Sequence, residues 1–384
     1  MKRRKQVALL IETSNSYGRG LLEGVISYAR EHELWSIYLP EHRRGEHPPR
    51  WLARWNGDGM IARIENVEIA RAVARTGLPV IDVSAARTLP AIPWVETDDQ
   101  AIARVAVEHL VERGFRRLAF CGDPRFNWSN WRAEHFERLG REAGCQTQVY
   151  RSPARHGRSV SWDREHRNLI RWIRRLRPPI GIMACYDIKG RELLDACRDC
   201  GIAVPEEAAV IGVDNDPLIC ELCFPPLSSV IPDTRRTGYL AAELLDQLMR
   251  GEELAGAAHL VPPLGVCTRR STEGLAVDDS EIAAALRFIR EYACDGINVG
   301  DVLRRVPLSR RTFEMRFVRL LSRTPHEEIT RVRMDRVKQL LSETDLPLNA
   351  ISRRAGFSGQ DYMSVAFKRL EGMAPSAYRD KRRR

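Results

Sequence analysis

The chain has 384 residues, and at roughly 100–200 residues per domain two or three domains are expected. Charged residues make up 29% and apolar residues 43%, a balance that excludes wholesale disorder. No uncharged apolar run reaches the ~18 residues of a membrane span. The apolar stretch behind the basic N-terminus ends at Glu12, too early for a secretion signal. We therefore expect a folded protein that is neither membrane-bound nor secreted.

The positive charge is concentrated in the last part of the chain. Residues 281–384 contain 22 Lys and Arg against 13 Asp and Glu, whereas residues 1–280 contain 39 against 38. A basic module attached to a near-neutral one is typical of a polyanion-binding domain joined to a second domain. A solvated basic tail is the less favoured alternative, because the charges are spread through helical patterns.

Nine cysteines are scattered along the chain, and reduced thiols in the cytoplasm are the expectation. The pairs Cys197/Cys200 and Cys220/Cys223 have a spacing close to that of a four-thiolate zinc site. The apolar strand predicted at 208–213 lies between them and would hold the pairs ~20 Å apart. We therefore predict no metal site, with zinc as the less favoured alternative.

From residue 6 to about 270, short apolar runs alternate with helical patterns. Such alternation predicts parallel sheets covered by helices on both faces, and its length predicts two α/β lobes. The predicted strands lie at 6–11, 60–62, 80–83, 118–121, 180–183 and 210–213. Predicted helices follow the polar loop at 13–18 and then cover about 99–113, 130–143, 163–176, 188–200 and 234–250.

The pattern changes after residue 270. Residues 269–279 lack helical or strand periodicity, so we predict a linker at 271–280, with Ser280 as the cap of the next helix. From there the pattern is helical to the end. The sequence thus predicts an α/β module at 1–270 and an all-helical module at 281–384.

The helical module contains a duplicated motif. Residues 302–309 match residues 351–358 at an offset of 49, and the apolar positions that follow match at 50, so the second turn holds one extra residue. Each copy predicts a short helix, a tight turn and a second helix capped by a serine, Ser309 or Ser358. This arrangement is a helix-turn-helix.

The residues that face outward near the start of each second helix suit a DNA duplex. Arginine is the commonest partner of guanine, glutamine pairs with adenine, and helix N-termini hold phosphates. The intervening helix, at about 325–342, is ~25 Å long and could place both second helices in successive major-groove segments. The alternative is a generic helical bundle with solvated arginines. The predicted DNA-binding residues are Ser309, Arg310, Arg311, Glu314, Ser358, Gln360, Asp361 and Ser364.

Residues 281–380 resemble the DNA-binding domain of the AraC/XylS family. The segments 351–358 and 367–379 match the C-terminal signature of that family, and residues 306–311 are similar to its xylose operon regulators. Met363 replaces the usual Phe, and Leu303 replaces a frequent Ala. Both changes are apolar and fall on a face expected to be buried.

Residues 6–270 resemble the type I periplasmic-binding fold, which LacI-type repressors use as their effector domain. The matching segments are 95–99, 115–122, 202–206, 210–215 and 227–230. In sugar-binding members the ligand lies between the two lobes. By position, the resemblance implies that the effector-binding residues are Asn15, Tyr17, Arg132, Asp187, Asp214 and Asn215.

These residue types suit a sugar, since Asp accepts hydroxyl protons and Arg donates in a planar fork. Trp128 or Trp131 could stack on a sugar face. Simpler roles stay open: Arg132 pairing with Glu134, either tryptophan in the core, Asp214 as the cap of a helix starting at Pro217, and Asp98 as a helix cap.

The combination of these two modules is similar to the xylose operon regulators of the AraC/XylS family. It implies a sugar-responsive transcription regulator in which sugar closes the lobes and changes DNA binding by a homodimer. It also implies activation through RNA polymerase, xylose or a related pentose as effector, and no cofactor.

Two alternatives remain. The first is an α/β enzyme of nucleotide or sugar metabolism with a basic appendage. The glycines at 18, 20 and 24 follow the first strand, but their spacing is irregular for a dinucleotide site. A phosphate loop and a nucleophile elbow are absent from the sequence. The second is a constitutive DNA-binding protein whose front half only dimerises.

Overall fold

The computed structural model describes residues 3–32, 35–40, 47–153, 161–254, 256–274, 276 and 279–383. The chain divides into two compact units. The first comprises Met1–Cys200 and Ala208–Gly274, and the second comprises Gly201–Glu207 and Leu275–Arg384. Within the described ranges, no helix combines the length and the apolar character that a membrane span requires.

The first unit is α/β and the second is helical. The strands are β1 (Gln6–Leu10), β2 (Ser36–Tyr38), β3 (Gly59–Ala62), β4 (Val80–Asp82), β5 (Trp94–Thr97), β6 (Arg117–Gly122), β7 (Gln146–Arg151), β8 (Ile180–Ala184), β9 (Ala208–Val213), β10 (Ser228–Ile231), β11 (Ala258–Val261) and β12 (Gly265–Cys267). The helices of the first unit are α1 (Ser16–Glu31), α2 (Val67–Ala74), α3 (Asp99–Glu112), α4 (Asn127–Glu142), α5 (Trp162–Ile173), α6 (Asp187–Asp199), α7 (Pro217–Leu222) and α8 (Thr234–Met249). Those of the second are α9 (Ser280–Tyr292), α10 (Val299–Leu303), α11 (Arg310–Leu321), α12 (Pro325–Glu343), α13 (Leu348–Arg354), α14 (Gln360–Glu371) and α15 (Pro375–Arg383).

Two six-stranded sheets form the two lobes of the first unit. The first lobe has the strand order β11-β5-β4-β3-β1-β2, with every pair parallel. The second has the order β12-β10-β9-β8-β6-β7 and is parallel except for β12. The chain crosses between the sheets after β5, β10 and β11. This architecture, with the helical unit described below, confirms the predicted fold class.

The glycines near the start of α1 allow close packing of backbones. A Cβ on Gly18 would lie 2.1 Å from the carbonyl oxygen of Glu12, and one on Gly24 would lie 2.0 Å from that of Arg235 in α8. Gly238 of α8 approaches the carbonyl oxygen of Leu21 equally closely. These contacts leave no room for side chains. Close packing therefore explains the glycines at 18 and 24, and a dinucleotide-binding site is not needed to explain them.

The predicted linker differs from the structure at both ends. Ser271 and Thr272, which fall in the predicted linker, are fully buried, and the Ser271 hydroxyl donates to the carbonyl of Val210 at 2.6 Å. The sequence missed this because two small polar residues have no periodicity to reveal burial. Helix α9 is capped by the carboxylate of Asp279, and Ser280 is its first residue, which corrects the predicted cap.

The second unit contains two helix-turn-helix motifs, α10–α11 and α13–α14, each over its own apolar core. Phe313 and Phe317 lie in the first core, and Met363 and Phe367 lie in the second. Helix α12 contributes residues to both cores. Phe313 and Phe317, one turn apart on α11, are fully buried.

The N-cap of α14, which follows the second turn, differs from the prediction. Gly359, the extra residue of this copy, occupies the N-cap position of α14, and no side chain caps that helix. Ser358 is therefore not the cap, whereas Ser309 caps α11 as predicted. Gly356 in the same turn has φ of 75°, and a Cβ there would lie 2.6 Å from the carbonyl oxygen of Cys294. Only glycine satisfies both conditions.

We expect Glu328→Gln to destabilise the helical unit. Burial raises the pKa of Glu328, but the hydrogen bond and charge of Arg331, together with Arg323, outweigh it and hold the pKa at about 2. At pH values above its unfolded pKa, the carboxylate therefore contributes about 3 kcal/mol to the free energy of unfolding. This contribution is lost as the pH falls from about 4.5 towards 2.

Urea denaturation of the full-length protein tests this, since all eight tryptophans lie before residue 173 and report only the first unit. At pH 7, far-UV circular dichroism should show that the helices of the variant unfold at a lower urea concentration than those of the wild-type protein. Tryptophan fluorescence should be unchanged. Equal stability at pH 7 would contradict the proposed ion pairs.

Candidate effector cleft and nucleic-acid interface

A cleft of about 460 Å³ lies between the two lobes of the first unit. Its walls come from segments at the carboxyl ends of strands in both sheets, because parallel strands bring these ends to one edge. Five of the six predicted effector-binding residues line it: Asn15, Tyr17, Arg132, Asp187 and Asp214. Other lining residues, not predicted, include Arg63, Thr97, Asp99, Phe126 and Tyr186.

Arg132 of α4 is fixed from two sides. Its Nε–H donates to the Asp99 carboxylate at 2.5 Å, and its Nη1 donates to the carbonyl of Cys185 at 2.7 Å. Burial lowers the pKa of Arg132, but Asp99 and Asp214 outweigh it and raise the pKa, so the guanidinium stays charged. Its partner is thus Asp99 rather than Glu134.

Asp187 lies on the wall of the cleft, yet its carboxylate already accepts hydrogen bonds from the protein. The Ser229 hydroxyl donates to it at 2.6 Å, and the backbone N–H of Asp216 donates at 2.8 Å. Burial, with the nearby negative charge of Asp214, raises its pKa. Asp187 therefore shapes the wall and holds the loop that follows β9.

That loop has an unusual backbone. Asp214 has φ of 104° and Asn215 has φ of 49°, both in the left-handed region that non-glycine residues rarely adopt. Asp214 lines the cleft, and its negative charge acts to raise the pKa values of Tyr17, Arg63 and Arg132. Strain of this kind is concentrated at ligand sites.

Asn215 lies outside the lining of the cleft. Its Oδ1 accepts from Arg269 at 2.9 Å, and its N–H donates to Ser229 at 3.0 Å. The helix that starts at Pro217 is capped by Asp216, not by Asp214. Asp98 caps α3 as expected.

The first loop contributes Asn15 and Tyr17. The Asn15 Oδ1 accepts from the N–H of Gly18 at 2.7 Å and caps α1, while its Nδ2 donates to Glu12 at 3.0 Å. Burial raises the pKa of Tyr17, and the guanidinium of Arg63 lies 5.2 Å from the centre of its ring.

Arg63 is one of the cleft residues that the sequence did not reveal. It follows β3, is 9% exposed and forms ion pairs with Glu12 and Glu65. Its Nε is buried and has no hydrogen-bond partner among the described residues. A buried donor at a cleft wall with no protein acceptor is a candidate ligand contact. A polar residue directly after the apolar strand 59–62 was the available signal.

A stacked arginine joins the two lobes beside the cleft. The Arg87 guanidinium lies 4.2 Å from the ring centres of both Trp94 and Trp131 and forms a bidentate pair with Glu96. Trp94 belongs to the first lobe and Trp131 to the second, so Arg87 bridges the lobes. Trp131 stacks on this arginine, whereas Trp128 lines the cleft itself.

The second unit presents the predicted DNA-binding residues to solvent. Arg310 and Arg311 are exposed on α11, and Arg310 pairs with the half-buried Glu314 at 2.9 Å. Gln360 and Asp361 are exposed at the start of α14, with Ser364 half-buried one turn later and Ser358 exposed before the helix. The DNA-binding prediction requires this exposure, and a generic helical bundle with solvated arginines would show it as well.

A two-lobed domain around a polar cleft, joined to a basic pair of helix-turn-helix motifs, defines a transcription regulator with an effector domain. Models of three protein domains match the chain. A XylR N-terminal domain matches residues 6–100, a periplasmic binding protein-like domain matches 107–272, and a helix-turn-helix domain matches 302–381.

The chain is similar over nearly its full length to xylose operon regulatory proteins. The xylose operon regulatory protein of Escherichia coli K12 is 33% identical, over 98% of this chain and 97% of that protein. The corresponding Haemophilus influenzae protein is 32% identical, over 97% and 98%. A solved structure of a xylose-binding transcription activator, XylR, covers 99% of both chains with a TM-score of 0.84 and 33% identity.

The chain belongs to the family of xylose operon regulatory proteins. It is a sugar-responsive, DNA-binding transcription regulator, and the relatives give no support to the enzyme alternative.

We expect Arg87→Ala to loosen the contact between the two lobes. Loss of two cation–π contacts should lower the free energy of unfolding of the first unit by about 1–2 kcal/mol. Urea denaturation followed by tryptophan fluorescence measures this, and small-angle scattering should show a larger radius of gyration. Arg104→Ala, at an exposed arginine of α3, is the control and should change neither. An unchanged midpoint for Arg87→Ala would contradict the bridge.

Proposed function

We propose that the protein is a cytoplasmic activator of sugar-catabolism genes that responds to xylose or a closely related pentose, and that it acts without catalysing a reaction. The supporting observation is a polar interlobe cleft in the same chain as two exposed helix-turn-helix motifs. The names of the relatives supply the choice of xylose, and the cleft supplies chemistry that suits it.

The charges around the cleft favour a neutral ligand rich in hydroxyl groups. Arg63 and Arg132 are each paired with buried carboxylates, so neither presents an uncompensated positive charge to an anion. Asp214 can accept from hydroxyls, and the two guanidinium groups can donate to hydroxyl oxygens. The rings of Phe126 and Trp128, stacked 5.1 Å apart, offer an apolar surface to the C–H face of a sugar.

Two elements of the second lobe provide a route from the cleft to the second unit. Helix α6 starts at Asp187 and β9 ends beside Asp214, both at the cleft. The residues that join these elements, 201–207, belong to the second unit, where Glu206 pairs with Arg290 of α9. A ligand that shifts α6 and β9 thus moves a segment packed against α9. A coupling of ~1–3 kcal/mol would suffice for regulation.

The regulator acts as a homodimer on repeated half-sites and recruits RNA polymerase. Each chain offers two recognition helices, α11 and α14, so a dimer would present four to the operator. Extended contacts of this kind raise specificity above that of a single motif. The basic charge of residues 281–384 supplies the electrostatic part of the affinity.

Sugar binding can be tested with the full-length protein by a thermal-shift screen of pentoses and hexoses, followed by calorimetry. D-xylose at a hundred times its Kd should stabilise the protein by about 2.7 kcal/mol. Asp214→Asn should weaken binding about tenfold, because it replaces charged acceptors with a neutral amide. Asn215→Gly preserves a left-handed backbone outside the cleft and is the matched control. A screen in which no sugar shifts the transition would refute the effector assignment.

DNA binding can be tested by mobility shift on a sequence selected from random duplexes. Arg311→Ala should cost about 1–3 kcal/mol on the selected site and relax preference at one base pair. Arg319→Ala, at an exposed residue in the last turn of α11, should instead weaken binding on all sequences alike and lower the salt dependence. Equal effects of Arg311→Ala on selected and random DNA would exclude base recognition by Arg311.

A further inference from the structure

Two large apolar side chains stand exposed at matching places in the recognition helices. Met315 is the sixth residue of α11 and is 61% exposed, and Val365 is the sixth residue of α14 and is 69% exposed. Neither belongs to the apolar core beneath its helix. Both helices start at the end of a helix-turn-helix turn, so the two residues hold equivalent positions in the duplicated motif.

Each exposed residue has an apolar neighbour on the same helix face. Val318 lies three residues after Met315 and is 41% exposed, and Tyr362 lies three residues before Val365 and is 52% exposed. Residues three apart are neighbours on a helix surface. Each recognition helix therefore carries a short apolar strip, which we call the groove strip: Met315 and Val318 on α11, Tyr362 and Val365 on α14.

Each groove strip has a charged residue one turn earlier on the same face, basic on α11 and acidic on α14. Arg311 lies four residues before Met315, one turn away on the same face, and Asp361 holds the same place relative to Val365. An exposed basic residue also lies beside each strip, Arg311 on α11 and Lys368 on α14. An apolar strip with a basic neighbour suits a surface that is anionic overall and has apolar points within it. The major groove of DNA fits this description, since phosphates line it and the C5-methyl of thymine is its apolar group.

We propose that Met315 and Val365 each contact thymine methyl groups in the major groove, so that both halves of the duplicated motif read thymine. The inference rests on the DNA-binding function and specifies what that surface recognises. The flexible Met315 side chain can adapt to more than one methyl position, whereas the branched Val365 is stiff and fits one. The second motif should therefore be the more selective of the two.

Replacing thymine by deoxyuridine tests this, because it removes only the methyl group. A site is first selected from random duplexes with the full-length protein, and each thymine is then replaced in turn. We expect at least one position in each half of the site to lose about fourfold in affinity, the fold-change that corresponds to burial of one methyl group.

The variants assign each methyl to a side chain. Met315→Ala should abolish the thymine preference at positions in one half of the site, and Val365→Ala should abolish it in the other. Met315→Leu and Val365→Ile should restore it. Leu370→Ala, at a residue 53% exposed near the end of α14, is the control and should leave all preferences intact.

Three outcomes would overturn the inference. If the wild-type protein binds thymine and deoxyuridine sites equally at every position, the groove strips meet something other than methyl groups, such as another protein. If the preference survives both alanine variants, other residues read the methyls. If no sequence is selected at all, the DNA-binding function itself fails, and the inference fails with it.

Discussion

The parallel order of the strands is the constraint on which the effector site depends. In a parallel sheet the carboxyl ends of neighbouring strands share one edge, so the segments after β1, β3 and β5 meet, as do those after β6, β8 and β9. Residues as distant in sequence as Tyr17 and Asp214 thereby face one cleft. The three crossings between sheets set these two edges opposite each other, and each lobe contributes one wall.

Charge balance within the cleft follows from this geometry. A buried guanidinium is costly unless a carboxylate compensates it. Arg63 has Glu12 and Glu65, and Arg132 has Asp99. The paired arginines keep the ability to donate hydrogen bonds but lose the power to select anions. Neutral hydroxyl groups are the ligands that such paired groups can distinguish, by position rather than by charge.

The sequence predicted the long buried strands and amphipathic helices because each has a strong local pattern. It did not reveal β7, whose sequence QTQVYR alternates polar residues at the edge of its sheet. It predicted that Asp187 lies at the site, but it did not predict the hydrogen bond that Ser229, 42 residues away, donates to this carboxylate. It missed Arg63, since its partner Glu12 lies 51 residues earlier and no spacing rule connects them. Local chemistry was readable, whereas pairings made by tertiary folding were not.

The insertion of residues 201–207 into the helical unit affects how the protein can be divided. The carboxylate of Glu206 is fully buried and pairs with Arg290, and Glu207 pairs with Arg287 at 2.8 Å. A truncated fragment that begins after residue 274 would leave both arginines of α9 without these partners. Its cationic surface would then exceed that of the intact chain. Measurements on such a fragment would overestimate the nonspecific affinity of the intact protein for nucleic acid.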